Sequence, residues 1–261
     1  MHVSAGGRRI YYSVEGDGPA LVLIHGLLSS SFCWRHNVGP LSRHFRVYAL
    51  DLPGSGLSGP GLVSMGEAAR VVEGFLNAMS LPRAHFLGTS TGGLAALILA
   101  AERPEIAGKL VLAAPVNPFS RYGRRAIRLG ATRIGLTIFQ IAQLAGPALT
   151  GFLLRRRLYG RPVRIPAETV AGYARPLARA GLPAELRNFY AHWDIPPLPP
   201  RLSSPVLLLW GEKDRQVPLE SGRQMAVALG APLEVIPGCG HLAFEEDPET
   251  FNRIVLDFLR Q

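Results

Sequence analysis

A serine hydroxyl becomes a nucleophile only when a base takes its proton and a third group holds that base in place. Ser90 is the serine that fits, within Gly88-Thr89-Ser90-Thr91-Gly92. The Gly-x-Ser-x-Gly pattern says little alone, because both residue types are common. Its setting says more. The run Ala84–Thr89 (AHFLGT) reads as a strand and GGLAALILAAE reads as a helix, so Ser90 stands at a strand–turn–helix junction. So tight a turn puts the serine in a strained conformation, and Gly88, Gly92 and Gly93 let strand and helix approach closely. The helix start adds a positive dipole end beside the hydroxyl.

The base is expected late in the chain. His241, in Gly238-Cys239-Gly240-His241, follows a last strand and precedes a last helix. His2 is terminal, and His25, His36, His44, His85 and His192 fall in less suitable places. The orienting carboxylate is assigned to Asp214, at the end of the strand PVLLLW, with Glu212 two residues away and Asp194 as rivals. Acyl transfer also needs two backbone donors for an oxyanion. The amides of Thr91 and Leu27 are assigned to that role, Leu27 lying in the loop His25-Gly26-Leu27-Leu28. His25 is expected to brace this loop, and Asp51 and the glycines of Asp51–Ser58 to be structural.

The elements that must hold these residues follow from periodicity. Arg9–Val14 reads as an edge strand. Ala20–His25 and Phe45–Asp51 read as buried strands, joined by strands at Ala84–Thr89, Lys109–Ala114, Pro205–Trp210 and Leu233–Ile236. Helices are predicted over Ser64–Ser80, opened by a Ser64/Glu67 capping box, and over Thr91–Glu102, Glu220–Leu229 and Phe251–Arg260. This alternation predicts an α/β fold with a mostly parallel sheet covered on both faces. Functional residues then gather at the strands' C-terminal edge.

Residues 115–200 break the alternation and read as a helical cap, inserted after the strand Lys109–Ala114, between a first core part at 1–114 and a second at 201–261. The insertion holds 13 Arg, no Lys and 3 acidic residues, so it carries +10 of a formal net +9 and leaves the rest at −1. Such a field would attract an anionic substrate or an anionic membrane surface. Ile134–Leu154 is 21 residues without a charge, long enough for a membrane span. Gly146-Pro147 should break it into two helices, and a single span would separate Ser90 from everything after Pro200. It is therefore read as a helix pair whose apolar residues, Ile134, Leu136, Ile138, Phe139, Ile141, Leu144, Leu149, Phe152, Leu153 and Leu154, line a pocket, or else as an interfacial pair on anionic lipid. Cys33 and Cys239 make no framework and are expected as reduced thiols in a cytoplasmic protein with no secretory signal, which the interfacial reading makes membrane-peripheral.

Together, HG after the first long strand, DLPGSGLS, GTSTGG, the helical insertion, GEKDRQVP and GCGH resemble the α/β-hydrolase superfamily over nearly the whole chain. Within it the chain looks like the esterase, lipase and C–C hydrolase branch, since epoxide hydrolases and haloalkane dehalogenases carry aspartate where Ser90 stands. The resemblance implies a serine hydrolase cleaving a carboxylic ester; the apolar stretch of the insertion points to an apolar acyl or aromatic part, and the mechanism requires no metal or organic cofactor. A thioesterase or C–C bond hydrolase with the same triad is the alternative, and a ligand receptor that uses the cap as a partner surface is a third reading. A small apolar ester is the expected partner, with no nucleic acid and no specific protein partner.

Overall fold

Strands buried on both faces must be apolar on both, with neighbouring side chains entering opposite halves of the core. Ala20–Ile24 does this: Leu21 and Leu23 join one cluster of buried residues, Val22 and Ile24 the other. The computed structural model describes residues 1–120 and 124–261. Arg121 of the basic insertion, and the side chains of Arg124 and Arg125, lie outside what it describes.

The chain begins with β1 (His2–Ala5), β2 (Arg8–Glu15), β3 (Ala20–Ile24), a short helix α1 (Val38–Ser42) and β4 (Arg46–Asp51). It continues through α2 (Met65–Ala78), β5 (Ala84–Thr89), α3 (Ser90–Glu102) and β6 (Ala107–Ala113). The Ser64 hydroxyl accepts from the Glu67 amide, as the capping box predicts. From β6 the chain leaves the sheet and forms α4 (Arg124–Gly130), α5 (Arg133–Leu153), a π-helical turn at Leu154–Leu158, α6 (Ala167–Ala174) and α7 (Leu182–Ala191). It returns through β7 (Val206–Gly211), α8 (Leu219–Leu229), β8 (Leu233–Ile236), α9 (Ala243–Glu246) and α10 (Pro248–Arg260). The sheet order is β1-β2-β4-β3-β5-β6-β7-β8, parallel from β4 to β8 and antiparallel at β1/β2 and β2/β4.

Two expectations are corrected. Arg9–Val14 is not at the edge, because β1 pairs outside it through a tight hairpin at Gly6-Gly7, both at positive φ (55° and 74°). Paired glycines between two short runs are the signal for such a turn. The long apolar stretch does break where expected, with Gly146 at φ 46° and ψ −129° ahead of Pro147. Of the ten apolar residues assigned to a pocket, however, only Leu153 and Leu154 reach the cavity at Ser90. Ile134, Ile138, Ile141, Leu144 and Phe152 are exposed instead.

The inserted helices are tied to the sheet by charged contacts that no local pattern announces. Arg35, after β3, forms an ion pair with Glu245 of α9 and donates to Thr169 Oγ1 of α6 (2.9 Å). The Tyr173 hydroxyl donates to the same carboxylate (2.6 Å). Glu185 accepts from the amides of Gly61 (3.2 Å) and Leu62 (2.9 Å), and its partner Arg179 donates to the Gly54 carbonyl (2.8 Å). Glu245 is nearly sealed from solvent, so its removal leaves Arg35 and Tyr173 without their acceptor. Glu245→Ala is expected to cost about 3 kcal/mol in a urea unfolding experiment, the usual penalty for breaking one side of a buried pair.

Candidate active site

Ser90 is the first residue of α3 and has φ 54°, in the left-handed region that a residue with a Cβ enters only under strain. The strain is tolerated because the surroundings leave no alternative. A Cβ on Gly88 would lie 2.7 Å from the Gly92 carbonyl oxygen, and one on Gly92 would collide with the backbone carbonyls of Ile24 and His25. The Ser90 carbonyl accepts from the Val116 amide (3.1 Å), fixing the turn to the chain that leaves β6.

His241 lies beyond β8 and Asp214 beyond β7, at the same sheet edge. His241 Nδ1 donates to Asp214 Oδ2 (2.7 Å). The other carboxylate oxygen accepts from the amides of Gln216 (2.7 Å) and Val217 (2.9 Å). With Nδ1–H engaged, the neutral ring keeps its Nε2 lone pair free to take a proton. Both side chains are buried. Ser90 and His241 line one cavity, although no hydrogen bond joins them among the described residues. The rivals are placed elsewhere. Glu212 accepts from the Gly238 amide (2.8 Å), and Asp194 is exposed after α7.

The loop after β3 brings Leu27 into the same cavity wall as Ser90, and Leu28 beside it has φ 61°. Thr91 is in the first turn of α3, where amides lack a helical acceptor, and borders a smaller cavity with His25 and Leu27. His25 braces the loop as expected: Nδ1 donates to the Gly26 carbonyl (2.7 Å) and Nε2 accepts from the Leu52 amide (3.0 Å). Burial pushes its pKa below the usual 6.5, against the opposing pull of Asp51. Asp51 accepts from the amides of Ser31 (2.7 Å) and Leu57 (2.8 Å) and so holds its own loop. Cys33 and Cys239 are free and buried; burial pushes the Cys239 thiol up to about 12 and raises Cys33 further.

Sequence reasoning missed Glu246. Its carboxylate accepts from the amides of Gly240 (2.6 Å), Gly160 (2.8 Å) and Arg161 (2.9 Å). The His241 amide donates to the Leu158 carbonyl (2.7 Å). The histidine loop is thus pinned to the inserted segment from both sides. A Cβ on Gly240 would strike the Leu158 carbonyl, and one on Gly211 the carbonyls of Cys239 and Gly240, so the glycines flanking Asp214 and His241 were the available signal.

The cavity at Ser90, about 210 Å³, is lined by Leu27, Leu28, Leu153, Leu154, Leu158, Leu177, Leu242 and Phe244. Its polar lining comes from Ser29, Thr89, Thr150, Tyr173 and Gln216, besides Ser90 and His241. No Asp, Glu, Lys or Arg is among the described residues that line it. Thr89 Oγ1 and Gln216 Oε1 are buried without a partner among the described residues, so both can bond to a bound molecule.

Two measurable consequences follow from this geometry. Glu246→Ala is expected to lower kcat by about tenfold or more with a smaller change in KM, because it loosens the base and leaves the cavity wall in place. The second concerns acid. An unfolded His25 titrates near its usual value of about 6.5, while the folded ring resists protonation, so the unfolded chain binds the extra proton and stability falls as pH drops through that value. Urea midpoints between about pH 7.5 and 5.5 should show this slope, and His25→Ala should flatten it while losing about 1 kcal/mol at neutral pH.

Residues 21–254 match the model of the "Alpha/beta hydrolase family". A 2-hydroxy-6-oxo-6-phenylhexa-2,4-dienoate hydrolase of Comamonas testosteroni is 31% identical over 274 residues, covering 97% of this chain and 91% of that protein. A 2-hydroxy-6-oxononadienedioate/2-hydroxy-6-oxononatrienedioate hydrolase of the same organism is 31% identical over 277 residues, covering 96% and 91%. Among solved structures, a bacterial membrane phospholipase A superposes with a TM-score of 0.82 at 28% identity, over 100% of this chain and 86% of that one. The chain is a hydrolase that belongs to the alpha/beta hydrolase family.

Proposed function

We propose that the protein is a serine hydrolase that cleaves a carboxylic ester whose acyl or aromatic part is apolar. The observation that carries this reading is the uncharged, leucine-rich cavity with Ser90 and His241 in its wall. Ser90 Oγ attacks the carbonyl carbon as His241 Nε2 takes its proton. The Asp214 carboxylate stabilises the imidazolium, and the amides of Leu27 and Thr91 hold the oxyanion. Collapse of the tetrahedral adduct breaks the bond to the alkoxy oxygen, which receives the proton from His241. Water then attacks the acyl-enzyme by the same route and restores Ser90.

The second reading is hydrolysis of a carbon–carbon bond, and sequence likeness supports it more directly than the first. The Comamonas relatives are named for 6-oxo dienoates, which are ketones without an ester bond. Hydrolysing such a compound expels a carbanion, which requires conjugation to delocalise its charge. Those compounds also carry a carboxylate, and the described lining of this cavity offers it neutral partners such as Ser29, Tyr173 and Gln216. That mismatch in charge is why the ester reading is placed first.

A panel of p-nitrophenyl esters of increasing acyl length, an acyl thioester and a 6-oxo dienoate separates the readings. Butyrate or longer esters should turn over faster than acetate, and Ser90→Ala should reduce turnover by about a thousandfold or more. Full activity of Ser90→Ala removes the nucleophile assignment. Preference for acetate removes the apolar acyl site, and a dienoate turned over faster than every ester puts the second reading first.

A further inference from the structure

A helix that packs against a protein on one side normally shows polar residues on the other. α5 does not. Its inner side stacks Phe139 on Tyr190 of α7 (centroids 5.8 Å apart) and holds Gln143, whose side-chain amide donates to the carbonyls of Leu177 and Arg179 (2.8 Å each). Its outer side carries Ile134, Ile138, Ile141 and Leu144 at three- and four-residue spacing, 66%, 46%, 62% and 89% exposed. Beyond the Gly146 kink, Phe152 is 51% exposed. Exposed apolar side chains in one row mark an interaction surface rather than scattered surface residues.

The ends of this row are cationic. Arg128 and Arg133 precede it, and Arg155, Arg156 and Arg157 follow it. All five are exposed, and none takes part in an ion pair among the described residues. Of the insertion's three acidic residues, Glu185 is already paired with Arg179. An apolar strip bounded by unpaired arginines complements a surface with an apolar interior and phosphate at its boundary. A second copy of this chain is the poorer match, since a self-complementary contact would bring arginine clusters together.

The same helix is long and apolar enough to span a membrane, but a span would put the protein before and after it on opposite sides. Ser90 before it and His241 after it line one cavity. The helix must therefore lie along a surface.

We propose that the outer face of α5, with its flanking arginines, docks the protein on an anionic phospholipid bilayer. Ile134, Ile138, Ile141, Leu144 and Phe152 enter the acyl boundary while the arginines meet headgroup phosphates. Leu153, 37% exposed, also lines the cavity at Ser90, so docking sets the cavity beside the lipid. The proposal is independent of which bond Ser90 cleaves.

Co-sedimentation with phosphatidylcholine vesicles, with and without phosphatidylglycerol, tests it. Binding should be about tenfold or more stronger to the mixed vesicles, and high salt should remove most of that gain. Ile141→Glu with Leu144→Glu, and separately Arg155, Arg156 and Arg157 each →Glu, should each weaken binding by about tenfold or more. The urea midpoint of the Ile141/Leu144 variant should match the parent's, which separates lost docking from lost folding. Equal binding to both vesicle types, or undiminished binding of the Ile141/Leu144 variant, overturns the proposal. So does light scattering that shows a dimer split by that variant while the parent binds no vesicles, because a second copy then covers the face.

Discussion

Ser90 is held at φ 54°, and the neighbouring architecture is arranged around that one strained residue. A left-handed backbone at a residue with a Cβ costs on the order of 1–3 kcal/mol and persists only where packing over-determines it. Here Gly88 lets β5 and α3 meet without a side chain between them, and Gly92 lets α3 touch the carbonyls of Ile24 and His25. The contact at Gly92 joins the turn at Ser90 to the loop that carries Leu27. Ser90 and the loop of Leu27 thus share a single packing constraint. The Val116 amide adds the chain that leads into the insertion.

The inserted helices are more than a cover. The amide of His241 is bound by Leu158, and Glu246 clamps Gly240 to Gly160 and Arg161. The loop that presents His241 is therefore held partly by the insertion. Glu245, one residue earlier, gathers Arg35 and Tyr173. Two adjacent carboxylates on α9 thus join the insertion to the sheet, one near the cavity and one beside the histidine.

Charge is segregated by the same construction. Five of the insertion's 13 arginines, Arg128, Arg133, Arg155, Arg156 and Arg157, stand exposed near the ends of α5, whereas no Asp, Glu, Lys or Arg is among the described residues that line the cavity. Burying a guanidinium in a leucine-lined space without a partner would be costly. The charge of these five arginines consequently acts at the protein's surface, away from the leucines around Ser90. Net charge alone, read from the sequence, cannot distinguish those two destinations.

Short-range patterns determined a good deal. Ala84–Thr89 followed by a helix from Ser90 was legible because strand and helix periods change at a glycine-marked turn. The capping box at Ser64, the break at Gly146-Pro147 and the placement of Asp214 and His241 after strands were legible for the same reason: each is decided within a few residues. The tertiary structure decided what depends on distant partners. Arg35 meets Glu245 across 210 positions and Gly160 meets Glu246 across 86, and no local periodicity encodes such pairs. It also decided which side of α5 faces the protein. A stretch with Thr137, Gln140 and Gln143 among apolar neighbours has too few polar residues to mark its outside, so composition could assign Ile141 and Leu144 to a pocket as readily as to solvent. Only packing against Tyr190 and Leu177 turned Phe139 and Gln143 inward and left the isoleucines bare.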